Sequence, residues 1–387
     1  MKKILFKSHN TGFGGIEKIQ SIYINYLANQ SNFETKIVFD MGLDINNVIG
    51  NNIDVPIIHL VDNNRVTHFN CVSKNRNNSV FDKINFNIQL IKNKNYKNNR
   101  FKEICNAYKP DIFIDFHNFH LNKLKYVTTS KTMTWMHINI ESWLKNKNKI
   151  KKYLNKISKY DKIICVSEDI RNNICHLDNT LKNKTLVLYN PIDIEQIKTL
   201  ANEEFTTDEM NYLNSKYLLM VSRLDTVQKD FQTLFTAFDL AKNNGYDGNL
   251  YIIGTGGDTE INQINSLKNK CKFNKNIYLL GGKINPYNWM KNCDKFILSS
   301  NYEGFGMVVA EALTVNNSVI CSNCPSGPAE ILENGKNGYL FNVGNSDELS
   351  ELILNATPKD RNIIDLSLNR FSHINIINQF DKIINNI

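Results

Sequence analysis

At 387 residues the chain is longer than one ordinary hydrophobic core supports, so two domains are expected. Its 42% hydrophobic content is that of a globular protein, and no apolar run approaches the roughly 18–20 residues that span a bilayer as a helix. The net charge of +8 suits an anionic partner, but the basic stretches carry no recognisable nucleic-acid module, which argues against DNA or RNA.

The start, Met1-Lys2-Lys3-Ile4-Leu5-Phe6-Lys7-Ser8, is too short and too soon charged for a signal peptide and reads as a first β-strand, so a cytoplasmic protein is expected. The eight cysteines are scattered. Cys321 and Cys324 form a C-x-x-C with no second pair and no nearby histidine, so they read as incidental thiols rather than a metal or redox site. Much of the excess charge is local, in Lys145–Lys152 with Lys156, Lys159 and Lys162, and again from Lys92 to Lys102. These are either solvated faces or a patch for an anionic phospholipid surface, which would place the chain peripherally on the inner face of the cytoplasmic membrane.

In chain order, Ile4 to Phe6 is a strand, followed by Asn10-Thr11-Gly12-Phe13-Gly14-Gly15-Ile16-Glu17 and a helix with Ile16, Ile19, Tyr23, Tyr26 and Leu27 at core spacing. Strand, glycine loop, helix is a phosphate-approach arrangement, although neither G-x-G-x-x-G nor G-x-x-x-x-G-K-[ST] is present, and a plain tight turn fits as well. Further strands are expected at Thr35–Phe39, Ile57–Leu60, Ile112–Phe116, Thr132–Met136, Lys162–Val166 and Thr185–Leu188. The polar, Asn-rich stretch from about Asn63 to Lys97 reads as a long acceptor-side loop. His117, His120 and His137 fall at or just past strand ends, where open α/β sheets line a ligand crevice, and His137 is the best placed for a ligand contact.

The strand before Asn190-Pro191 stops at a turn, and polar sequence follows to about Asn214, so the domains are expected at 1–192 and 193–370. An amphipathic helix at about 371–387 is expected to pack back on the body. The second half restarts the alternation: strands at Tyr217–Val221, Leu250–Ile253, Ile277–Leu280, Phe296–Ser300 and Val319–Cys321, with helices between. This repetition predicts an α/β fold of two doubly wound, Rossmann-like domains facing across a cleft.

The chain centres on Asn301-Tyr302-Glu303-Gly304-Phe305-Gly306-Met307-Val308-Val309-Ala310-Glu311, a strand end, a glycine turn and a helix start. Free N–H groups at such a helix start suit a phosphate, and Glu303 and Glu311 bracket it. Arg223, in Ser222-Arg223-Leu224, and Lys229, in Lys229-Asp230, fall on the same rim, where a planar fork and a point charge suit a diphosphate. Any one of these charges alone reads as a surface ion pair; the four together with glycine loops read as a site.

With Glu303 through Glu311 as an E-x7-E signature, Arg223-Leu224…Lys229-Asp230, Gly254-Thr255-Gly256 and Gly14-Gly15-Ile16-Glu17, the chain resembles the retaining glycosyltransferases of the GT-B fold, family 4. Ser222 stands where that family usually has glycine, and Ser326-Gly327-Pro328-Ala329-Glu330-Ile331 is similar to a subgroup that builds bacterial surface polysaccharides. The resemblance implies that Arg223 and Lys229 neutralise a donor diphosphate, Glu311 holds the ribose, and Glu303 contacts the donor sugar. It also implies that His137 lies near the anomeric centre, that backbone around Gly304, Phe305, Gly306, Met307 and Val308 holds sugar and distal phosphate, that Gly14 and Gly15 let the first domain's loop reach the diphosphate on closure, and that Gly254 belongs to the nucleotide loop. Backbone near Lys283 and Ile284 would read the base.

The expected reaction is transfer with retention of a hexose or N-acetylhexosamine from a nucleotide sugar, UDP-linked by default, to a glycan or lipid-linked saccharide. No D-x-D occurs, so neither metal nor cofactor is expected. Alternatives on the same scaffold are a nucleotide-sugar epimerase, a phosphorylase, or a non-catalytic partner subunit of a transferase.

Overall fold

A computed structural model describes residues 1–8, 15–40, 53–118 and 120–387. The first sheet contains β1 (Lys2–Ser8), β2 (Phe33–Phe39), β3 (Ile57–His59), β4 (Ile112–Asp115), β5 (Lys131–Met136), β6 (Lys162–Cys165) and β7 (Thr185–Val187), in the order β3-β2-β1-β4-β5-β6-β7. The second contains β8 (Tyr217–Val221), β9 (Asn249–Ile253), β10 (Ile277–Leu279), β11 (Lys295–Leu298), β12 (Val319–Ser322) and β13 (Tyr339–Phe341), in the order β10-β9-β8-β11-β12-β13. The ladders are parallel, Phe6 opposing Ile37 and Ile114 in the first sheet and Leu219 opposing Tyr251 and Phe296 in the second. Helices cover both faces, which is why the central strands are continuous apolar runs, Ile4-Leu5-Phe6 and Leu218-Leu219-Met220, with no exposed position. In each sheet the order reverses beside the first strand, at β1/β4 and at β8/β11, the kind of switch point beside which open α/β sheets bind ligands.

Helix α1 (Gly15–Ala28) follows β1 and buries Ile19, Tyr23, Ile24 and Leu27 against the sheet, at the spacing expected from the sequence. The stretch expected to be a long loop is instead a helical hairpin, α2 (Asn63–Asn75) and α3 (Val80–Tyr108). Local chemistry starts both helices: the carboxylate of Asp62 accepts from the amide of Arg65 at 2.8 Å and the hydroxyl of Ser79 from that of Asp82 at 3.0 Å. The short β13 was also absent from the sequence reading; it extends the second sheet beside β12.

The C-terminal helix His373–Asn385 crosses back to the first sheet's side. Its Phe380 ring lies 4.6 Å from that of Tyr23, and Tyr26 donates to Asp381 at 2.6 Å. Ile192 and Ser372 form a β-bridge where the two crossings run side by side. Among the described residues no helix is long and apolar enough to cross a membrane.

Candidate active site in the interdomain cleft

The second sheet supplies its charges from two adjacent strand ends, those of β8 and β11. The loop after β8 carries Arg223 and ends at Lys229, which bridges to Ser300 beyond β11. Lys229 and Glu303 are both buried, and the ammonium is ion-paired with the Glu303 carboxylate; Ser300 Oγ also donates to that carboxylate, at 2.7 Å. Two buried opposite charges stay ionised at moderate cost only when paired and hydrogen-bonded in this way. Gln228 links this pair to the exposed Arg223: its amide donates to the Tyr302 carbonyl at 3.1 Å and to Glu303 Oε2 at 3.2 Å, and its oxygen accepts from Arg223 at 3.0 Å. Arg223, Lys229 and Glu303 thus form one hydrogen-bonded chain. Gln228 and Ser300, which join it, were not singled out in the sequence, although Gln228 stands directly before Lys229.

Gly306, at φ +86°, makes the turn into the helix Met307–Val315, a conformation that a side chain would strain. Helix geometry leaves the amides at that start without partners inside the helix. Phe305 is buried, its ring 5.8 Å from Tyr189 and 5.2 Å from Phe371, so only its backbone is presented to the cleft. Met307 and Val308 are half-buried beside it.

Glu311, one turn on, faces a different set of partners from Glu303. Tyr287 donates to it at 3.4 Å, and Lys18 of α1 reaches the Tyr287 hydroxyl across the cleft at 3.4 Å. Burial pushes the Glu311 carboxyl above its usual range, with Lys18 opposing the shift. Lys18 and Tyr287 were likewise unmarked in the sequence; Lys18 lies in the first turn of the helix that follows the glycine loop.

On the opposing rim, His137 hydrogen-bonds the Phe116 carbonyl through Nε2 at 2.7 Å. Burial, aided by the neighbouring His117, pushes the imidazole down to about 4, so it is neutral at ordinary pH. The carbonyl fixes the proton on Nε2 and leaves Nδ1 as an acceptor. His117 faces Glu17 at 3.5 Å and Ser8 at 3.1 Å. His120 has turned inward, bonding Asp115 at 3.1 Å and Asp40 at 3.4 Å, while the buried Lys7 pairs with Asp40 at 2.9 Å.

The two rims meet at Gly304: a Cβ there would lie 1.8 Å from the His137 carbonyl oxygen. A cavity of about 260 Å³ opens beside this contact, lined by Ile16, His117 and His137 from one side and by Arg223, Gln228 and Gly304 from the other. Around it, Gly254 sits where a Cβ would strike the Ser222 carbonyl at 1.8 Å, and Gly15 opens α1 with empty space where its Cβ would be. Ile284 is fully exposed on the loop after β10, beside Lys283, whose ammonium pairs with Glu209 at 2.9 Å. Gly14 lies outside the described residues. On a second contact between the halves, Glu330 accepts from the Glu168 amide at 3.0 and 3.2 Å and from Tyr189, and Ser326 donates to Asp169 at 2.7 Å.

The family model described as glycosyl transferases group 1 matches residues 202–362, the stretch that holds Arg223, Lys229, Glu303 and Glu311. Residues 202–362 are thus similar to a group 1 glycosyltransferase domain. The chain's relatives are named accordingly. An uncharacterized glycosyltransferase of Methanocaldococcus jannaschii is 31% identical over 246 residues, which cover 59% of this chain and 60% of that protein. A Campylobacter jejuni enzyme is 26% identical over 275 residues, 68% of this chain and 71% of that one. It is named N-acetylgalactosamine-N,N'-diacetylbacillosaminyl-diphospho-undecaprenol 4-alpha-N-acetylgalactosaminyltransferase. Anabaena HepE, solved with UDP-glucose, superposes with a TM-score of 0.75 at 17% identity over 100% of both chains, a likeness of fold. The resemblance to group 1 transferases and the two-domain GT-B architecture are therefore borne out.

Proposed function

We propose that this glycosyltransferase moves a hexose or N-acetylhexosamine from a nucleotide sugar to a glycan or lipid-linked saccharide of the cell surface, with retention and without a metal ion. The observation that carries the reading is the cavity in which Arg223 and Gln228 face the neutral His137 across the Gly304 contact. A donor diphosphate entering there meets the exposed guanidinium of Arg223 and the start of the Met307–Val315 helix, with Lys229 behind Gln228. The diphosphate competes with Glu303 for Lys229, and a carboxylate so released is placed to accept hydroxyls of the donor sugar. Glu311, backed by Tyr287 and Lys18, suits the ribose, because a half-buried carboxylate is satisfied by vicinal hydroxyl donors.

As the glycosidic bond breaks, negative charge grows on the diphosphate and positive charge on the anomeric carbon. Two cations and a helix start stabilise the first, and removing one such donor costs about 10²–10³-fold in rate. The neutral His137 adds no positive charge beside the developing cation. With the leaving diphosphate and the acceptor on one face, a phosphate oxygen takes the acceptor's proton, and no dedicated base is required. UDP is the base-bearing half favoured here, on the HepE complex. The Campylobacter relative's name supports a diphospho-undecaprenol type of acceptor, which would bring the chain to a membrane face.

A thermal-shift screen of nucleotide sugars, followed by mass spectrometry of products made on cell lipid extracts, tests the reading. A UDP-sugar is expected to raise Tm, and a glycosylated lipid is expected in excess EDTA. Loss of product in EDTA, restored by manganese, would overturn the metal-free assignment; a new sugar isomer without acceptor would identify an epimerase.

A further inference from the structure

We infer that the α2–α3 hairpin is a docking surface for an anionic phospholipid bilayer, with the outer face of α3 inserted at the interface. Helix α3 is about 43 Å long at 1.5 Å per residue. Its last turns bury Phe101, Ile104, Cys105 and Tyr108 in the domain, while its earlier turns project alongside α2, which has no buried residue. The face of α3 toward α2 is occupied: Phe86 lies 5.8 Å from Phe69, and the Arg65 guanidinium stacks on Tyr96 at 4.0 Å.

The opposite face has no such cover. Phe81, Ile84, Ile88 and Ile91, at spacings of three and four, form one stripe and are 84%, 51%, 45% and 61% exposed. Elsewhere among the described residues, exposed large apolar side chains stand singly or in pairs. An apolar stripe of this kind on a surface helix marks an interaction site.

Charge selects the occupant. From Asn63 to Lys102 the sequence has nine Lys or Arg and one acidic residue, Asp82. A second copy of the same surface would bring those cations against each other. An anionic lipid surface offers hydrocarbon for the stripe and phosphates for the flanking Lys83, Lys92 and Lys94. The other basic segment is built differently. The helix Lys147–Ile157 buries its apolar residues Ile150, Leu154 and Ile157 in the core, so it has lysines but no apolar face left to insert.

The surface gives the proposed lipid-linked acceptor a place to be met. Binding to lipid needs neither donor nor acceptor, however, so its failure is read separately from failure of transfer. The test is flotation of the full chain with vesicles of equimolar phosphatidylcholine and phosphatidylglycerol, or of phosphatidylcholine alone. The wild type is expected to float with the anionic vesicles only, and to be retained in part at high salt because hydrocarbon contact is not screened. Phe81→Asn with Ile88→Asn is expected to weaken binding about 10-fold or more, and Lys92→Glu with Lys94→Glu to weaken it at low salt. Lys149→Glu with Lys152→Glu is expected to retain the high-salt fraction. Phe81→Trp emission should shift to the blue on anionic vesicles, a readout independent of how the double variant folds. Undiminished flotation of the Asn variant, or no emission shift, would overturn the inference. So would a lipid-free dimer abolished by the Asn changes, which would make a second copy the occupant, or displacement of vesicles by RNA at equal affinity.

Discussion

The two sheets turn their strand-end rims toward one cleft, yet they use charge in opposite ways. On the first rim the charges are locked inside: Lys7 with Asp40, Asp40 and Asp115 with His120, and Tyr160 donating to Asp115 at 2.7 Å. Among the groups of this rim that line the cavity, His137 is neutral. On the second rim the charges form a chain that ends at the exposed Arg223 and runs back to Lys229 and Glu303. Equivalent positions in two similar folds thus separate into a rim whose charges are paired inside and a rim that presents one charge to solvent. The difference is solvent access: a buried charge must find its partner within the protein, whereas an exposed guanidinium is available to a phosphate.

The largest effects should expose this division. Arg223→Ala or Lys229→Ala is expected to lower kcat/KM by about 10²-fold or more, with little change in the unfolding midpoint for Arg223→Ala; a near-normal rate would merge the two rims. Lys7→Met should do the reverse. It removes the ammonium that faces Asp40 and is expected to cost about 3–5 kcal/mol in urea unfolding, while kcat of the surviving folded enzyme stays near wild type.

Gly304→Ala probes the line where the rims touch. Its methyl group cannot share space with the His137 carbonyl, so the halves must separate, and about a 10-fold loss of kcat/KM is expected. The effect on the isolated stability of either half should be slight, and a fully active Ala variant would show that the contact is not made during turnover.

The neutral His137 makes a pH prediction. Its folded value, about 4, lies below its ordinary 6.5, so between those limits the unfolded chain binds more protons than the folded one. Its contribution to stability is therefore fully present above about pH 6.5 and lost as pH falls toward 4. His137→Gln should flatten that acid slope in chemical unfolding measured across pH. The smallest effect is expected for Tyr287→Phe, which removes one hydrogen bond to Glu311, worth about 1 kcal/mol. A few-fold rise in donor KM with kcat unchanged would agree; a fall in kcat would move Tyr287 to the reacting end of the site.

Much of the fold was legible because its signals are local. The buried stretches Ile112-Phe113-Ile114 and Tyr217-Leu218-Leu219-Met220 are unbroken apolar runs, and α1 repeats its core residues with helical spacing. The α2–α3 hairpin escaped because α3 is apolar on two opposite faces, Phe86 and Leu90 on one and Ile84, Ile88 and Ile91 on the other. With Asn and Lys between them, no single apolar period emerges. The three-residue β13 was not read from the sequence either. In the site, Glu303, Arg223 and Lys229 stood out as charges beside turns, but their joining through Gln228 and Ser300 did not.

The sequence by itself determined the strands and helices outside the α2–α3 hairpin and β13, the glycine turn at Gly304–Gly306, and the motifs similar to those of group 1 transferases. Each of these depends on residues a few positions apart, whose steric and hydrogen-bonding preferences act within the chain. Tertiary structure alone decided that Lys229 pairs with Glu303 across 74 positions, that Lys18 crosses to Tyr287 across 269, and that His137 is neutral. It also decided which basic segment keeps an apolar face. Those outcomes follow from burial and from distance in space, which set whether a charge is paired, displaced or suppressed and which side of a helix meets water.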